Sequence, residues 1–120
     1  MRRIVPNIYS DDIEKSKKFY VDFLGMELAM DMGWILTFVS VENTTAQISV
    51  FRNEKDKSPD NSAVFLSIEV SGIDHWYERA TKQNIEIVYP ITNESWGVRR
   101  FFIKDPNGVT INLLAHIVQE

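Results

Sequence analysis

No cysteine occurs among the 120 residues, which excludes a disulfide framework, a zinc-thiolate cluster and a thiol nucleophile. Basic residues are in deficit, 13 against 17 acidic, for a net charge of −4 and an isoelectric point near 5.2. A nucleic-acid partner calls for the opposite balance, so none is expected. No apolar run approaches the roughly 20 residues of a membrane span, and Met1-Arg2-Arg3 lacks the apolar segment of a signal peptide. The expectation is no membrane partner and a cytoplasmic protein. There is no Gly-x-Ser-x-Gly elbow and no phosphate-binding glycine loop.

What is present is an ordinary globular mixture, 44% apolar and 25% charged. At this length roughly two-thirds of the extended-chain surface is buried on folding, enough for a core without cross-links or structural metal.

The order of patterns carries more. Ile4 to Tyr9 is short and β-prone, and Pro6 removes one ladder donor, so an edge-like or irregular strand is expected. Ser10, Asp11 and Asp12 offer N-cap side chains, and Asp11 with Glu14 forms a variant capping box. A helix over Asp12 to Leu24 follows, with Ile13, Phe19, Tyr20, Phe23 and Leu24 as its apolar stripe and Gly25 as its left-handed stop. Three β-type runs come next, at Glu27 to Asp31, Trp34 to Val41 and Ala46 to Arg52. Asn53 to Asn61 has no apolar side chain and reads as a linker.

After it the order returns. Val64 to Val70 reads as a strand and Ile73 to Gln83 as a helix. Strands at Ile85 to Tyr89, Val98 to Lys104 and Val109 to Ala115 follow, the last two joined by the turn signal Asp105-Pro106-Asn107-Gly108. The chain therefore reads as an internal duplication, module 1 about 1–52 and module 2 about 62–120, in which Val5 matches Phe65 and Ser49 matches Asn112. The expected fold is α+β: two tandem βαβββ modules forming an open, half-barrel mixed sheet, with helices on the convex face.

Two segments give this pattern a family likeness. Asp12 to Tyr20, followed by Phe23-Leu24-Gly25-Met26-Glu27-Leu28, is similar to the opening helix and Leu-Gly exit of the vicinal oxygen chelate superfamily, the glyoxalase, bleomycin-resistance and dioxygenase group. Trp96-Gly97-Val98-Arg99-Arg100-Phe101, leading into Asp105-Pro106-Asn107-Gly108, resembles its second-module signature, and the likeness covers nearly the whole chain. The resemblance implies paired βαβββ modules, often in a homodimer. It also implies, in metal-dependent members, ligands on the first and last strands of each module.

Here those positions hold Val5, Ser49, Phe65 and Asn112, with Gln47 as the alternative to Ser49 if the register slips. Hydrocarbon does not coordinate, and neutral hydroxyl or amide oxygen is a weak donor to a divalent ion. No metal and no other cofactor are expected. Of the two histidines, His75 reads as solvated on the second helix, whereas His116 reads as either solvent-exposed or facing the cleft mouth. Asp11 and Asp12 read as helix caps rather than paired catalytic acids.

Strand alternation then supplies binding candidates. On the parity of Val5 stand Asn7 and Tyr9; on that of Phe65, Ser67 and Glu69; the last strands add Gln47, Ser49, Thr110, Asn112 and Leu114. Arg99 and Phe101 share one face of the penultimate strand after Trp96. Core packing remains open for Phe65 and Phe101, a rim or core place for Trp96, and solvent exposure for Arg99.

The expected function is metal-independent binding of a small organic ligand in a concave sheet cleft, as in the antibiotic-resistance binding proteins that the family includes. Two alternatives stand beside it. One is a lyase, isomerase or dioxygenase with an atypical metal-ligand set or an acid such as Glu69; the other is a regulatory module whose cleft is vestigial.

Overall fold

The structure, a computed structural model, describes residues 1–54 and 60–117. Its contacts separate a first unit, Met1–Asn61, from a second, Ser62–Glu120. The heart of the expected linker, residues 55–59, lies outside the described residues. Its described ends belong to the first unit: the Asn53 N–H donates to the Ser10 carbonyl at 2.9 Å, and Asn61 Nδ2 donates to the Tyr9 carbonyl at 2.6 Å.

In the first unit β1 (Asn7–Ser10) leads into α1 (Ile13–Lys17), and then come β2 (Glu27–Asp31), β3 (Ile35–Val39) and β4 (Gln47–Arg52). The sheet order is β1-β4-β3-β2, with β1 parallel to β4 and the remaining pairs antiparallel. β1 begins three residues later than the sequence pattern suggests. Pro6 has no N–H to give, and before it only an isolated parallel bridge forms, Ile4 to Ala46. The strand is at the sheet edge, as a proline-containing run requires.

The cap of α1 is Asp12, whose carboxylate accepts the Lys15 N–H at 3.2 Å. Asp11 does not cap: its carboxylate accepts from Asn53 Nδ2 at 2.8 Å, and the expected Asp11–Glu14 box does not form. The chain then winds into a π-helical segment, Lys18–Phe23, in which the Leu24 N–H reaches the Phe19 carbonyl at 3.0 Å. The wider turn lets Phe19, Tyr20 and Phe23 all be buried, with Tyr20 stacked on Phe38 of β3 at 5.3 Å. Gly25 takes φ +74° just past the last turn, the conformation only glycine adopts without strain.

A short 3-10 turn over Asn61–Ala63 leads from the first unit into the second, which then runs β5 (Phe65–Glu69), α2 (Ile73–Lys82), β6 (Ile87–Asn93), β7 (Val98–Lys104) and β8 (Thr110–His116). Its order, β5-β8-β7-β6, repeats the first sheet, again with a parallel first-to-last pair. β6 runs four residues beyond the expected end at Tyr89. It is an edge strand whose register shifts between Tyr89 and Thr92, so Pro90 sits where no ladder donor is missed. The β7–β8 turn is locked by Asp105, 5% exposed, whose Oδ1 accepts the Asn107 and Val109 N–H groups at 2.8 Å each.

Each sheet is thus a four-stranded mixed sheet with a helix on one face, and neither closes into a barrel. This is the α+β βαβββ architecture expected from the pattern. No helix among the described residues is long and apolar enough to cross a membrane.

Candidate functional site

Register decides which residues share the sheet face away from the helix. In the first unit Asn7 pairs with Ser49 and Tyr9 with Phe51; across β4, Ser49 meets Thr37 and Phe51 meets Ile35. Ile8 and Ser10 alternate to the other face and are buried. The Ile4–Ala46 bridge continues the register, so Val5 falls level with Gln47 on the Asn7 parity. The candidates Asn7, Tyr9, Gln47 and Ser49 therefore lie on one face. Tyr9, Phe51 and Trp34 form an aromatic row there, with centroid separations of 5.9 and 5.8 Å.

In the second unit Phe65 pairs with Thr110, Ser67 with Asn112 and Glu69 with Leu114. The duplication inferred from sequence is therefore a register identity: Asn7 meets Ser49 as Ser67 meets Asn112. Across β8 the partners on that face are Lys104, Phe102, Arg100 and Val98.

Two candidates fall on the opposite side. Phe101 pairs with Leu113, is 0% exposed, and meets Tyr77 of α2 edge-on at 5.0 Å. Arg99 pairs with Ala115 and is spent on the helix side: Nε and an Nη donate to Asp74 Oδ1 at 3.1 and 2.8 Å, and the other Nη to Asn93 Oδ1 at 2.8 Å. Neither shares a face with Asn112, because alternation on β7 puts the even-numbered residues there. Phe102 and Arg100 take the places expected of Phe101 and Arg99. The signal was available in the turn: a hairpin that sets Lys104 opposite Thr110 sets Phe102 opposite Asn112.

Arg100 organises one end of this face. Its guanidinium carbon lies 4.7 Å from the Phe102 ring centroid, 5.1 Å from Trp96 and 5.6 Å from Tyr89. An Nη pairs with Glu94 Oε2 at 3.2 Å, and the Tyr89 hydroxyl donates to Glu94 Oε1 at 2.6 Å. The charge is therefore neutralised locally within an aromatic frame. Trp96, 63% exposed, occupies the β6–β7 loop as a rim residue. At the same end of the strands, across β8 from Arg100, Glu69 is also level with Leu114, and its Oε1 pairs with His116 Nδ1 at 2.5 Å, both side chains well exposed. His75 is exposed on α2.

The next row along the strands on this face, Ser67, Asn112 and Phe102, holds the polar centre. Asn112 is 5% exposed; its Nδ2 donates to Ser67 Oγ at 3.2 Å, while its Oδ1 is buried with no hydrogen-bond partner. An orphaned buried acceptor costs about 1–3 kcal/mol. Ser49, its counterpart, is 4% exposed but satisfied, hydrogen-bonding Thr37 Oγ1 at 2.8 Å. Gln47 is likewise engaged, accepting from Arg3 at 2.8 Å and donating to the Thr44 carbonyl at 2.8 Å.

The donor set does not fit a divalent cation. Val5 and Phe65 are hydrocarbon, the Ser49 hydroxyl is committed to Thr37, and Asn112 offers one neutral oxygen. Among the described residues no three His, Cys, Asp or Glu side chains form a group able to hold a metal.

The fold is shared with solved proteins. With a member of the glyoxalase/bleomycin resistance protein/dioxygenase superfamily from Sphaerobacter thermophilus DSM 20745 it has 24% identity and a TM-score of 0.80, covering 97% of this chain and 98% of that one. For a glyoxalase/bleomycin resistance protein/dioxygenase from Nocardioides the values are 21% and 0.77, over 100% and 85% of the two chains. For TioX from Micromonospora sp. ML1 they are 18% and 0.79, over 96% and 98%. A search of curated proteins finds no match. A family model matches residues 3–113, and with the duplicated βαβββ register it establishes that the chain belongs to the Glyoxalase/Bleomycin resistance protein/Dioxygenase superfamily.

Proposed function

We propose that the protein is a metal-independent binder of a small organic ligand, in the manner of the superfamily's antibiotic-resistance binding proteins. The observation that carries this reading is the chemistry of the exposed sheet face around Asn112. Aromatic surface from Phe65, Phe102 and Trp96 accompanies the neutral Asn112–Ser67 pair, the Arg100 charge beside it is matched by Glu94, and the family's ligand positions hold no strong metal donor. Such a surface gains from covering apolar area and fixes orientation with few hydrogen bonds, which suits an organic molecule better than an ion.

The test has two arms. A broad small-molecule screen by thermal shift should return saturable stabilisation, since a ligand that binds only the native state raises the melting temperature with concentration. EDTA should leave the melting temperature and the affinity of any hit unchanged. A screen with no saturable binder, or a large stabilisation by one specific divalent ion, overturns the proposal.

A second reading, a catalytic member, draws on one observation: the Glu69–His116 pair shares the face of Asn112 and Leu114. Stoichiometric manganese, iron, nickel or zinc in protein purified without chelators would favour it. A cytoplasmic homodimer belongs to the same proposal. Met30, Met32 and Trp34 are exposed at and beside edge strand β2, an apolar liability that a second subunit would cover. Light scattering that returned only the 13.9 kDa monomer at micromolar concentration would remove the dimer from it.

A further inference from the structure

The acceptor that the fold leaves unused shares its sheet face with two rings in contact. Phe65 is level with Thr110 on β5, and Phe102 is level with Asn112 on β7, yet their ring centroids are 5.1 Å apart in an edge-to-face arrangement. β8 lies between those strands. Their backbones are therefore separated by two strand spacings, roughly 9.5 Å, and the rings lean together over β8 beside Asn112.

The two rings are held unequally. Phe102 also packs against Tyr89 at 4.7 Å and under the Arg100 guanidinium at 4.7 Å. Phe65 stands on the edge strand and is 53% exposed. Phe65 is thus the ring with room to turn, and Phe102 the one held in place.

We infer that Phe65 is a hinged cover over Asn112 Oδ1, and that the site selects a flat, uncharged ring bearing an N–H or O–H donor. The ring takes the place of Phe65 against Phe102, and its donor satisfies the orphaned oxygen. An anionic anchor is disfavoured because Glu94 already matches the Arg100 charge, although Arg100 Nε is itself buried without a hydrogen-bond partner, and the Lys104 ammonium is turned to Thr110 Oγ1 at 2.7 Å and the Gly108 carbonyl at 3.3 Å. This inference rests on reading the face as a ligand site and adds what the ligand must carry.

Indole and benzofuran are the probes, matched in size and shape but with the ring N–H of one replaced by an ether oxygen in the other. Titration of the full chain by ligand-observed NMR should give indole at least a tenfold advantage. Asn112→Leu should erase that advantage by weakening indole alone, and Asn112→Asp, which keeps an acceptor, should preserve it. Phe65→Ala should preserve the preference and speed association of both probes. Equal measurable affinities, a preference for benzofuran, or an advantage that survives Asn112→Leu overturns donor selection while the proposed function stands. Binding of neither probe also overturns it, and the broad screen then judges the proposed function separately. If Asn112→Leu fails to fold by circular dichroism, the wild-type pair and Asn112→Asp decide.

Discussion

Phe101 and Phe102 are adjacent in the chain and stand on opposite faces of β7. The first meets Tyr77 of α2 at 5.0 Å and is wholly buried; the second meets Tyr89 at 4.7 Å on the face that carries Asn112. Phe101→Ala should therefore cost about 3–5 kcal/mol of stability by opening a core cavity. Phe102→Ala should cost less, about 1–3 kcal/mol, since its ring is only half-buried, and should weaken an aromatic ligand. Urea denaturation of the two variants gives the comparison, and equal losses would contradict the assignment of faces.

Asn112 is expected to oppose stability with one atom and support it with another. Asn112→Leu removes the orphaned acceptor together with the hydrogen bond to Ser67, exchanging a poorly satisfied amide for hydrocarbon of similar size. The melting temperature should stay level or rise, by up to about 1 kcal/mol in stability, the pattern of a position kept for function. A loss beyond about 2 kcal/mol would mean that the oxygen has a structural partner in solution.

The two arginines of β7 should separate cleanly. Arg99→Ala breaks an ion pair to Asp74 whose side chains are 31% and 73% exposed, so screening limits the loss to roughly 1 kcal/mol or less. Arg100→Ala strips the counter-ion from Glu94, whose side chain is 10% exposed, and should cost about 2–4 kcal/mol. Glu94→Gln added to Arg100→Ala should recover part of that loss, because no buried charge is left behind. Thermal unfolding of the three variants reads the difference.

At the start of α1 the cap is a single residue. Asp12→Ala should cost about 1 kcal/mol and Asp11→Ala distinctly less, because only the Asp12 carboxylate receives a helix N–H. Chemical denaturation of both variants checks it.

The architecture was legible because its signals are local: Gly25 after an apolar stripe, Asp105 to Gly108 between two β-type runs, and the same order repeated. The face of each strand was legible where one side is plainly polar, as at Asn7, Ser67 and Asn112. At Phe101-Phe102-Ile103 alternation gave no guide, because three apolar residues stand in succession, and the face could be read only from the hairpin register. The capping residue was ambiguous for a related reason. Two aspartates precede the helix, and the choice between them is made by Asn53, distant in sequence, which takes the Asp11 carboxylate. The Arg100 frame of Tyr89, Glu94 and Trp96 was hidden because it is assembled across a bulged edge strand and a loop, where periodicity gives no guide.

Among the described residues, the first strand of each unit to be made by the ribosome pairs only with the last of its own sheet, β1 with β4 and β5 with β8. A growing chain consequently has to hold each opening strand unpaired until some forty further residues, on the order of several seconds of synthesis, have followed it. The middle hairpins can zip first, since their partners are neighbours in sequence, and the parallel seam is then the slow, long-range closure. The first module reaches its closing strand before the second has begun its own, so synthesis can complete the halves in turn. Arrested nascent chains ending shortly after Arg52 has cleared the exit tunnel should already protect the β1 amides from hydrogen exchange, whereas those ending before Gln47 should not.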